Sequence, residues 1–448
     1  MKMTKVMLAA LMLTASTAAS AVDTLRVDLN KALEIALSDN PTIKIADKEI
    51  ERVDYSKKAA WYGLMPTLSG TGQVAKYVLP AKMTMFGNLM DNPANYNFSA
   101  SLNLSLPLFV PALWRSIQMT ELDMQLALEN ARASKITLRN DVKKAFYGTL
   151  LAQDSYETLK DSYELAKQNY ENAKHRYEVG AVAEYDLVSS EVQMRNIMPN
   201  LLQVENGVKQ SKLYLKVLMG LDAAVVVVVD GTLVDFESEL KELTENQKIS
   251  LTNNTDIVQL DIQQKKLTKA LQLQQTQRMP TLAGFGKYGY TGSNTKEVSM
   301  EMSMAGTTVP ISMPARNDVY SDGLIVGLQL SVPIFSGLTN ITKEKQLKIQ
   351  ALELDMQREY LENVLSMQAI AALDNMNKAA EQVQSNKDNV RLSQKGYDIS
   401  QKRYETGMGT MLELHGAALS LTQSRLSYNQ SVSDYLNAKA EFEKIVGL

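Results

Sequence analysis

The chain has 448 residues, 45% of them hydrophobic, no cysteine and a formal net charge of −3. That length supplies ample material for a core, and a mildly acidic chain without a basic patch gives no electrostatic footprint for nucleic acid, which is excluded as a partner. Without cysteine, an exported form has neither disulfides nor the thiol that N-terminal lipid attachment requires.

The N-terminus carries Lys2 and Lys5, an apolar run from Val6 to Leu13, and small residues ending in Ala19-Ser20-Ala21. Residues 1–21 therefore read as a secretory signal peptide cleaved after Ala21. The mature chain then holds 45 basic against 50 acidic residues. After Val22 no apolar run approaches the roughly 18 to 20 residues of a membrane helix. An exported chain of this kind is either soluble outside the cytoplasm or part of a β-barrel.

Residues 22–65 form an N-terminal helical segment. Ala32, Leu33, Ala36 and Leu37 fall at helical spacing, and Asn40-Pro41 interrupts a helix expected over Leu29 to Tyr62. Pro66 stops it, and residues 66–110 carry a first β-hairpin. Phe98, Ala100, Leu102, Leu104 and Leu106 alternate with Ser99, Ser101, Asn103 and Ser105, giving one apolar and one polar face. Its partner strand, near Thr67 to Leu79, is rich in glycine, and a loop is expected from Pro80 to Asn97. Two readings fit: the wall of an outer-membrane barrel around water, or an ordinary half-buried antiparallel sheet.

After a proline turn at Leu106-Pro107-Leu108-Phe109, residues 111–220 read as a long helical hairpin. From Ala112 to Glu178 there is no proline and one glycine, Gly148, so a helix there spans roughly 100 Å. Tyr156, Tyr163, Tyr170 and Tyr177 repeat every seven residues, interleaved with Leu159, Ala166 and Ala173, and the helix turns at Arg176-Tyr177-Glu178-Val179-Gly180. Residues 221–256 form a linker region in which Ala223 to Val229 reads as a buried strand.

The chain then repeats itself. A helix of the second repeat covers residues 257–279, led in from Asn254, and Met279-Pro280-Thr281-Leu282 echoes Met65-Pro66-Thr67-Leu68. A second β-hairpin follows over 280–336. In it Leu324, Val326, Leu328, Leu330 and Val332 alternate with Ile325, Gly327, Gln329 and Ser331, opposite a strand near Leu282 to Tyr290 and across a loop from Thr291 to Gly323. Tyr77, Phe98, Phe285, Tyr288 and Tyr290 are candidates for an interfacial aromatic girdle. Residues 337–448 form the second long helical hairpin and the C-terminus. Its outgoing heptads are Met376, Val383, Val390, Tyr397 and Tyr404, its turn is Arg403-Tyr404-Glu405-Thr406-Gly407, and its return helix carries Leu414, Leu421, Tyr428, Tyr435 and Phe442. Heptads alone favour a soluble coiled coil.

Both signals together point further. Four strands cannot close a barrel whose smallest form has about 8, so copies of the chain must complete the wall. Whatever closes the strands also gathers the helices into a ring, and the product is a duct.

These residues resemble the TolC outer-membrane efflux channel family, the outer membrane factors. The likeness runs over nearly the whole mature chain: the duplicated Asn-led helix, Met-Pro-Thr-Leu, Leu-Pro-Leu-Phe and Val-Pro-Ile-Phe-Ser-Gly, and the two Arg-Tyr-Glu-x-Gly turns followed by Tyr185-Asp186-Leu187 and Leu412-Glu413-Leu414. The resemblance implies a mainly α protein with membrane β: a homotrimer with a twelve-strand outer-membrane β-barrel continuous with a twelve-helix periplasmic α-barrel. Each chain would give four strands and two coiled-coil hairpins as two structural repeats, with an equatorial region drawn from Leu221 to Leu251 and the chain ends. It implies an exit duct of a tripartite efflux or type I secretion system in the outer membrane of a Gram-negative bacterium. The partners it implies are a periplasmic adaptor (membrane fusion) protein, an inner-membrane pump and outer-membrane lipid.

The resemblance also implies residue roles. Phe98, Leu102, Leu104, Leu324, Val326, Leu328 and Leu330 form the lipid face of the barrel. Arg176, Tyr177, Gly180, Arg403, Gly407 and Gly409 lie at the hairpin tips, where the adaptor reaches them. Tyr404 and Asp186 fall on a gate tyrosine and its acidic partner, and Glu413 on an acidic ring at the periplasmic entrance. Two positions depart from the family pattern: Gly409 stands where a gate arginine is usual, and Gly416 where a second acidic ring is usual. An alternative keeps Tyr404 as the last heptad knob and nothing more. An alternative for the whole chain is a periplasmic coiled-coil adaptor or scaffold protein without a membrane barrel.

Other patterns are weaker. Gly284-Phe285-Gly286-Lys287-Tyr288-Gly289 matches a dinucleotide-binding spacing but opens no helix. His175 and His415 lack further ligands at metal spacing and read as polar surface, and the Met-rich stretch from Met300 to Met313 reads as surface loop. No nucleophile has a base beside it, so no enzyme, cofactor or metal is expected.

Overall fold

The computed structural model describes residues 24–79, 82–85, 88–91, 94–239, 250–304 and 307–448, and the signal-peptide reading of residues 1–21 lies outside them. The described residues begin with strand β1 (Thr24–Val27) and helix α1 (Leu29–Asp39), whose first turn is capped by the Asp28 carboxylate accepting from the Lys31 amide at 2.8 Å. Asn40 is extended, and Pro41, which lacks the amide hydrogen that a first turn leaves unpaired, starts α2 (Pro41–Tyr62). Strands β2 (Thr67–Lys76), β3 (Lys82–Met85), β4 (Asn88–Asp91) and β5 (Ala94–Phe109) follow, then helices α3 (Pro111–Glu178) and α4 (Glu184–Met219). The second half opens with β6 (Val226–Val229) and a 3-10 helix (Leu233–Glu239). It continues with α5 (Thr255–Thr276), β7 (Thr281–Thr295), β8 (Val298–Met304), β9 (Thr307–Met313), β10 (Arg316–Ser331), α6 (Thr339–Glu405) and α7 (Met411–Val446). Among the described residues, no helix is long and apolar enough to cross a membrane.

Two compact units share these elements. One comprises residues up to 50, 127–261 and 356–448; the other comprises 51–126 and 262–355. In the first unit β1 and β6 pair in parallel, and Val27, Val227 and Val229 bury against Phe146, Leu150, Leu215 and Met219 from α3 and α4. Met376 and Ala379 of α6 sit with Tyr435 and Leu436 of α7 in the same buried core. Asp154 accepts from the Leu233 amide at 2.9 Å, tying the 3-10 helix to α3; burial raises the pKa of its carboxyl despite that bond.

This unit contains the same joint twice. Asn40 donates its side-chain amide to the Leu218 carbonyl near the end of α4 at 2.7 Å, while its side-chain oxygen accepts from the Thr42 amide at the start of α2. Asn254 donates to the Ile445 carbonyl near the end of α7 at 2.8 Å, and its oxygen accepts from the Asp256 amide at the start of α5. One side chain thus serves an orphan carbonyl of one helix and an orphan amide of the next. Beside each asparagine a glycine ends the return helix in the left-handed region: Gly220 at φ 70 and Gly447 at φ 81. A Cβ on Gly220 would lie 2.7 Å from the Asp39 carbonyl oxygen, and one on Gly447 would overlap that of Asn253. Glycine is required at both by space and by dihedral angle.

The second unit is an antiparallel sheet in the order β10-β7-β5-β2. The segments read as loops are not featureless: β3 pairs with β4 and β8 with β9 as small hairpins, and β5, β7 and β10 run well into the expected loops. Their Met, Asn and Gly content hides the alternation that would have announced strands. The expected proline turn after the first strand pair is also absent, since β5 continues through Pro107 to Phe109 with only an irregularity in register. Salt bridges from Lys57 to Glu121 and from Arg278 to Glu344 link the helical parts of this unit.

Candidate functional site

All four long hairpin helices end alike. At the first tip the Ala181 amide donates to the Arg176 carbonyl at 2.8 Å and Gly180 to Tyr177 at 2.8 Å; at the second, Met408 donates to Arg403 at 2.8 Å and Gly407 to Tyr404 at 3.1 Å. Gly180 and Gly407 have φ of 74 and 76. These are paired closures by a left-handed glycine, and the same bonds recur at Gly220-Leu221 and Gly447-Leu448. The repeated Arg-Tyr-Glu-x-Gly therefore encodes a helix stop first of all.

Beyond the backbone the tips differ. Tyr177 is 40% exposed, whereas Tyr404 is 7% exposed and packs with Ala173, Tyr397, Met411 and Leu414. The same reversal runs up the hairpins. On α3 the buried heptad row is Leu159, Ala166 and Ala173 and the tyrosines are partly open, while on α6 the large row of Met376, Val383, Tyr397 and Tyr404 is buried. The tyrosines of α3 are therefore not the knobs that a uniform heptad reading would make them.

Arg176 crosses from the first tip to the second. Its guanidinium carbon lies 5.0 Å from the centroid of the Tyr404 ring, and its Nη1 donates to the Tyr404 carbonyl at 3.2 Å. Arg403, its counterpart, donates to the Met408 carbonyl at 3.2 Å and lies 3.6 Å from the Glu413 carboxylate, within its own turn. The Tyr404 hydroxyl is buried and has no hydrogen-bond partner among the described residues. Burial raises its pKa; Arg176 opposes that shift and the nearby Asp186 carboxylate adds to it. Tyr404, Asp186 and Arg176 are thus brought into one neighbourhood within a single chain, without a Tyr404–Asp186 hydrogen bond. Asp186 and Glu413 occupy the same position after the two tyrosines, each in the first turn of a return helix, and Thr410 caps the second by accepting from the Glu413 amide at 3.2 Å. A Cβ on Gly409 would lie 3.0 Å from that of Arg403, so a side chain there requires the turn to shift, whereas Gly416 faces open space.

His415 corrects the surface reading. It is 9% exposed, and burial lowers its pKa, with Asp186 opposing; His175 by contrast is open to solvent beside Glu178 at 3.7 Å. His415 borders a cavity of about 140 Å³ with Asn169, Gln193, Asn200 and Thr422 in its wall. It also borders an open groove of about 450 Å³ lined by Tyr185, Val188, Val192, Leu412 and Leu419. No cluster of three or more His, Cys, Asp or Glu that could hold a metal occurs among the described residues.

In the sheet, register places the expected apolar residues together. Leu102, Tyr288 and Leu324 lie side by side across three strands, and so do Leu104, Gly286 and Val326. Leu328 and Leu330 continue the row on β10, and Leu68 and Val74 join it on β2 through Leu104 and Phe98. Val326 is 74% exposed and its neighbours on β10 are similarly open. The opposite face carries Thr71 and Ser101, 2.8 Å apart, and Asn103. The glycines of β7 make room for large neighbours: the Phe98 ring occupies the space of a Cβ on Gly292, which is the role of this glycine-rich strand. Phe98, Tyr290 and Tyr320 cluster with ring centroids 5.5–6.3 Å apart. Tyr320 was missed because it precedes the alternating stretch. Phe285 does not belong to this girdle, since it lies on the face of Lys287 and covers Gly327.

A model of the outer membrane efflux protein family matches residues 32–221 and 248–448. The chain is similar to outer membrane protein TolC of Vibrio cholerae, 23% identical over 313 residues that cover 67% of each chain. Its fold is similar to the CmeC outer membrane channel of Campylobacter jejuni, with a TM-score of 0.71, 17% identity, and 94% of this chain and 85% of that one covered. It is also similar to the open state of the MtrE outer membrane channel of Neisseria gonorrhoeae, with a TM-score of 0.70, 14% identity, and coverage of 94% and 88%.

Proposed function

Because the chain belongs to the outer membrane efflux protein family, we propose that it is the outer-membrane exit duct of an efflux or type I secretion system, working as a homotrimer. Three copies of the four-stranded sheet complete a twelve-strand barrel in outer-membrane lipid, and the long hairpins line the periplasmic continuation as a twelve-helix barrel. Substrates pass through passively. A periplasmic adaptor, joined to an inner-membrane pump, meets the hairpin tips at Arg176, Tyr177, Gly180, Arg403, Gly407 and Gly409.

The observation that carries this reading is the sheet. One face is apolar and exposed from Leu68 on β2 to Leu330 on β10, the other carries Thr71, Ser101, Asn103 and Lys287 together with Phe285 and Ile325, and neither edge strand has a partner within the chain among the described residues. An unpaired edge of 16 residues in a protein that stays monomeric invites aggregation, and an apolar outer face costs little only against hydrocarbon. Closure with neighbouring copies resolves both. Phe98, Leu102, Leu104, Leu324, Val326, Leu328 and Leu330 are then the lipid face.

The gate is assigned to the tips. The Tyr404 hydroxyl, buried without a partner, gains one if Asp186 of a neighbouring hairpin closes on it, a charge-assisted bond worth about 1.5–3 kcal/mol. Glu413 lies at the entrance. The test is membrane fractionation followed by planar-bilayer recording of the purified protein. Recovery in the outer membrane and stepwise conductance that rises in Tyr404→Phe/Asp186→Ala are expected. Recovery in the soluble periplasm means a scaffold or adaptor, and unchanged conductance removes the pair from the gate.

A further inference from the structure

The two arginines of the duplicated turn have separate employment, and the difference assigns a role to one of them. Arg403 stays at home, held by the Met408 carbonyl and beside Glu413 on its own hairpin. Arg176 leaves its hairpin and meets the other in two ways, its guanidinium over the Tyr404 ring and its Nη1 on the Tyr404 carbonyl. That carbonyl, which also accepts from the Gly407 amide, belongs to the last turn of α6, where the negative end of the helix dipole favours a cation. A guanidinium suits both contacts at once: its flat face stacks on an aromatic ring while its edge donates. A lysine offers the charge without the plate.

The surroundings fit such a contact. Tyr404 is held from behind by Ala173, Met411 and Leu414, so the ring presents a fixed face to Arg176. Gly409 folds the second turn back against Arg403, its amide donating to the Arg403 carbonyl at 2.9 Å. Among the described residues no equivalent contact is present at the first tip, where Tyr177 is open and Arg403 is held by Met408 and beside Glu413.

We propose that Arg176 is the positioning residue of the tips: a clamp within one protomer that fixes the end of α6, and with it Tyr404, against α3. Its effect on conductance rests on the gate reading above, but the clamp itself does not. Releasing it frees the second tip to move away from the first.

The test uses the full-length protein, purified in detergent and also reconstituted into planar bilayers, with variants Arg176→Met, Arg176→Lys, Arg403→Met and Tyr404→Leu. Amide hydrogen exchange over residues 403–411 is expected to rise at least several-fold in Arg176→Met. It should return only part of the way to wild type in Arg176→Lys, which keeps the charge without the stacking face, and change less in Arg403→Met, with overall unfolding temperature nearly constant. Conductance should rise in Arg176→Met and Tyr404→Leu, and no further when both are combined. Exchange that stays at the wild-type level in Arg176→Met, or that rises equally in Arg403→Met, overturns the clamp. Exchange that rises while conductance stays constant in both Arg176→Met and Tyr404→Leu leaves the clamp standing and removes the gate. If Arg176→Met fails to assemble, Tyr404→Leu tests the same contact from the other side and must loosen residues 403–411.

Discussion

The two ends of the helical hairpins have fared differently since the chain was duplicated. At the joints, Asn40 with Gly220 and Asn254 with Gly447 keep the same donors, acceptors and left-handed glycine. At the tips, the same backbone stop survives but the side chains have parted: Tyr177 is open and Tyr404 buried, and Arg176 bridges where Arg403 does not. A part that serves only to hold helices together tolerates symmetry. A part that must move, or be gripped from one side, has reason to lose it.

The sharpest way to break this comparison is to delete the two tyrosines. Tyr404→Ala opens a cavity among Tyr397, Met411 and Leu414 and is expected to cost about 3–5 kcal/mol, while Tyr177→Ala should stay within roughly 0.5 kcal/mol of wild type; unfolding of the detergent-solubilised protein by denaturant compares them. Equal losses would mean the tips are equivalent after all. At the joints the expectation reverses, with paired mutants behaving alike. Gly447→Ala and Gly220→Ala each force a Cβ into a neighbouring carbonyl at a left-handed position, and each should cost roughly 2–4 kcal/mol in the same measurement. Asn40→Ala and Asn254→Ala each strand a carbonyl and an amide, and about 1–3 kcal/mol is expected for each. A pair that differs widely would show that one joint has taken on another task.

The smallest effect separates the hairpins by pH. His415 has a pKa lowered by burial, and Val188 stands at the same distance after the first tyrosine. As pH falls, the unfolded chain takes up this proton first, near about 6.5, so the contribution is complete above that value and is lost as pH falls toward the lower folded pKa. Thermal unfolding between pH 7 and 5 should therefore show a loss of stability that is reduced in His415→Gln. A Val188→Ala variant should retain the wild-type slope.

Much of this architecture was legible in periodicity. The seven-residue spacing fixed helices of the observed kind, and the two-residue spacing of Phe98 to Leu106 and Leu324 to Leu330 identified which side chains share a face. The tips were legible because Gly180 and Gly407 end helices in a way only few residues allow. What stayed hidden depends on neighbours rather than on local pattern. Both heptad rows of α3 are apolar enough to face inward, and only the packing of other helices decides that Leu159, Ala166 and Ala173 do so. His415 looked like surface because nothing in its own stretch announces that α3 and α4 cover it. The bridging role of Arg176 was invisible for the same reason, since its partner lies 228 residues away.

The parallel pairing of β1 with β6 also sets a clock. Thr24 lies opposite Val226 and Val27 opposite Val229, so a chain delivered from its N-terminus must carry an unmatched strand until about 200 further residues arrive. At synthesis rates of about 5–20 residues per second that wait lasts roughly 10–40 s. Throughout it this short strand, with Leu25 and Val27 as its apolar residues, is available to any other unmatched strand, including the same segment of another copy. Strands β2 and β5 lie between β1 and β6 in the chain and can pair with each other during that wait, so β1 stays unmatched longer than the first strand pair of the four-stranded sheet.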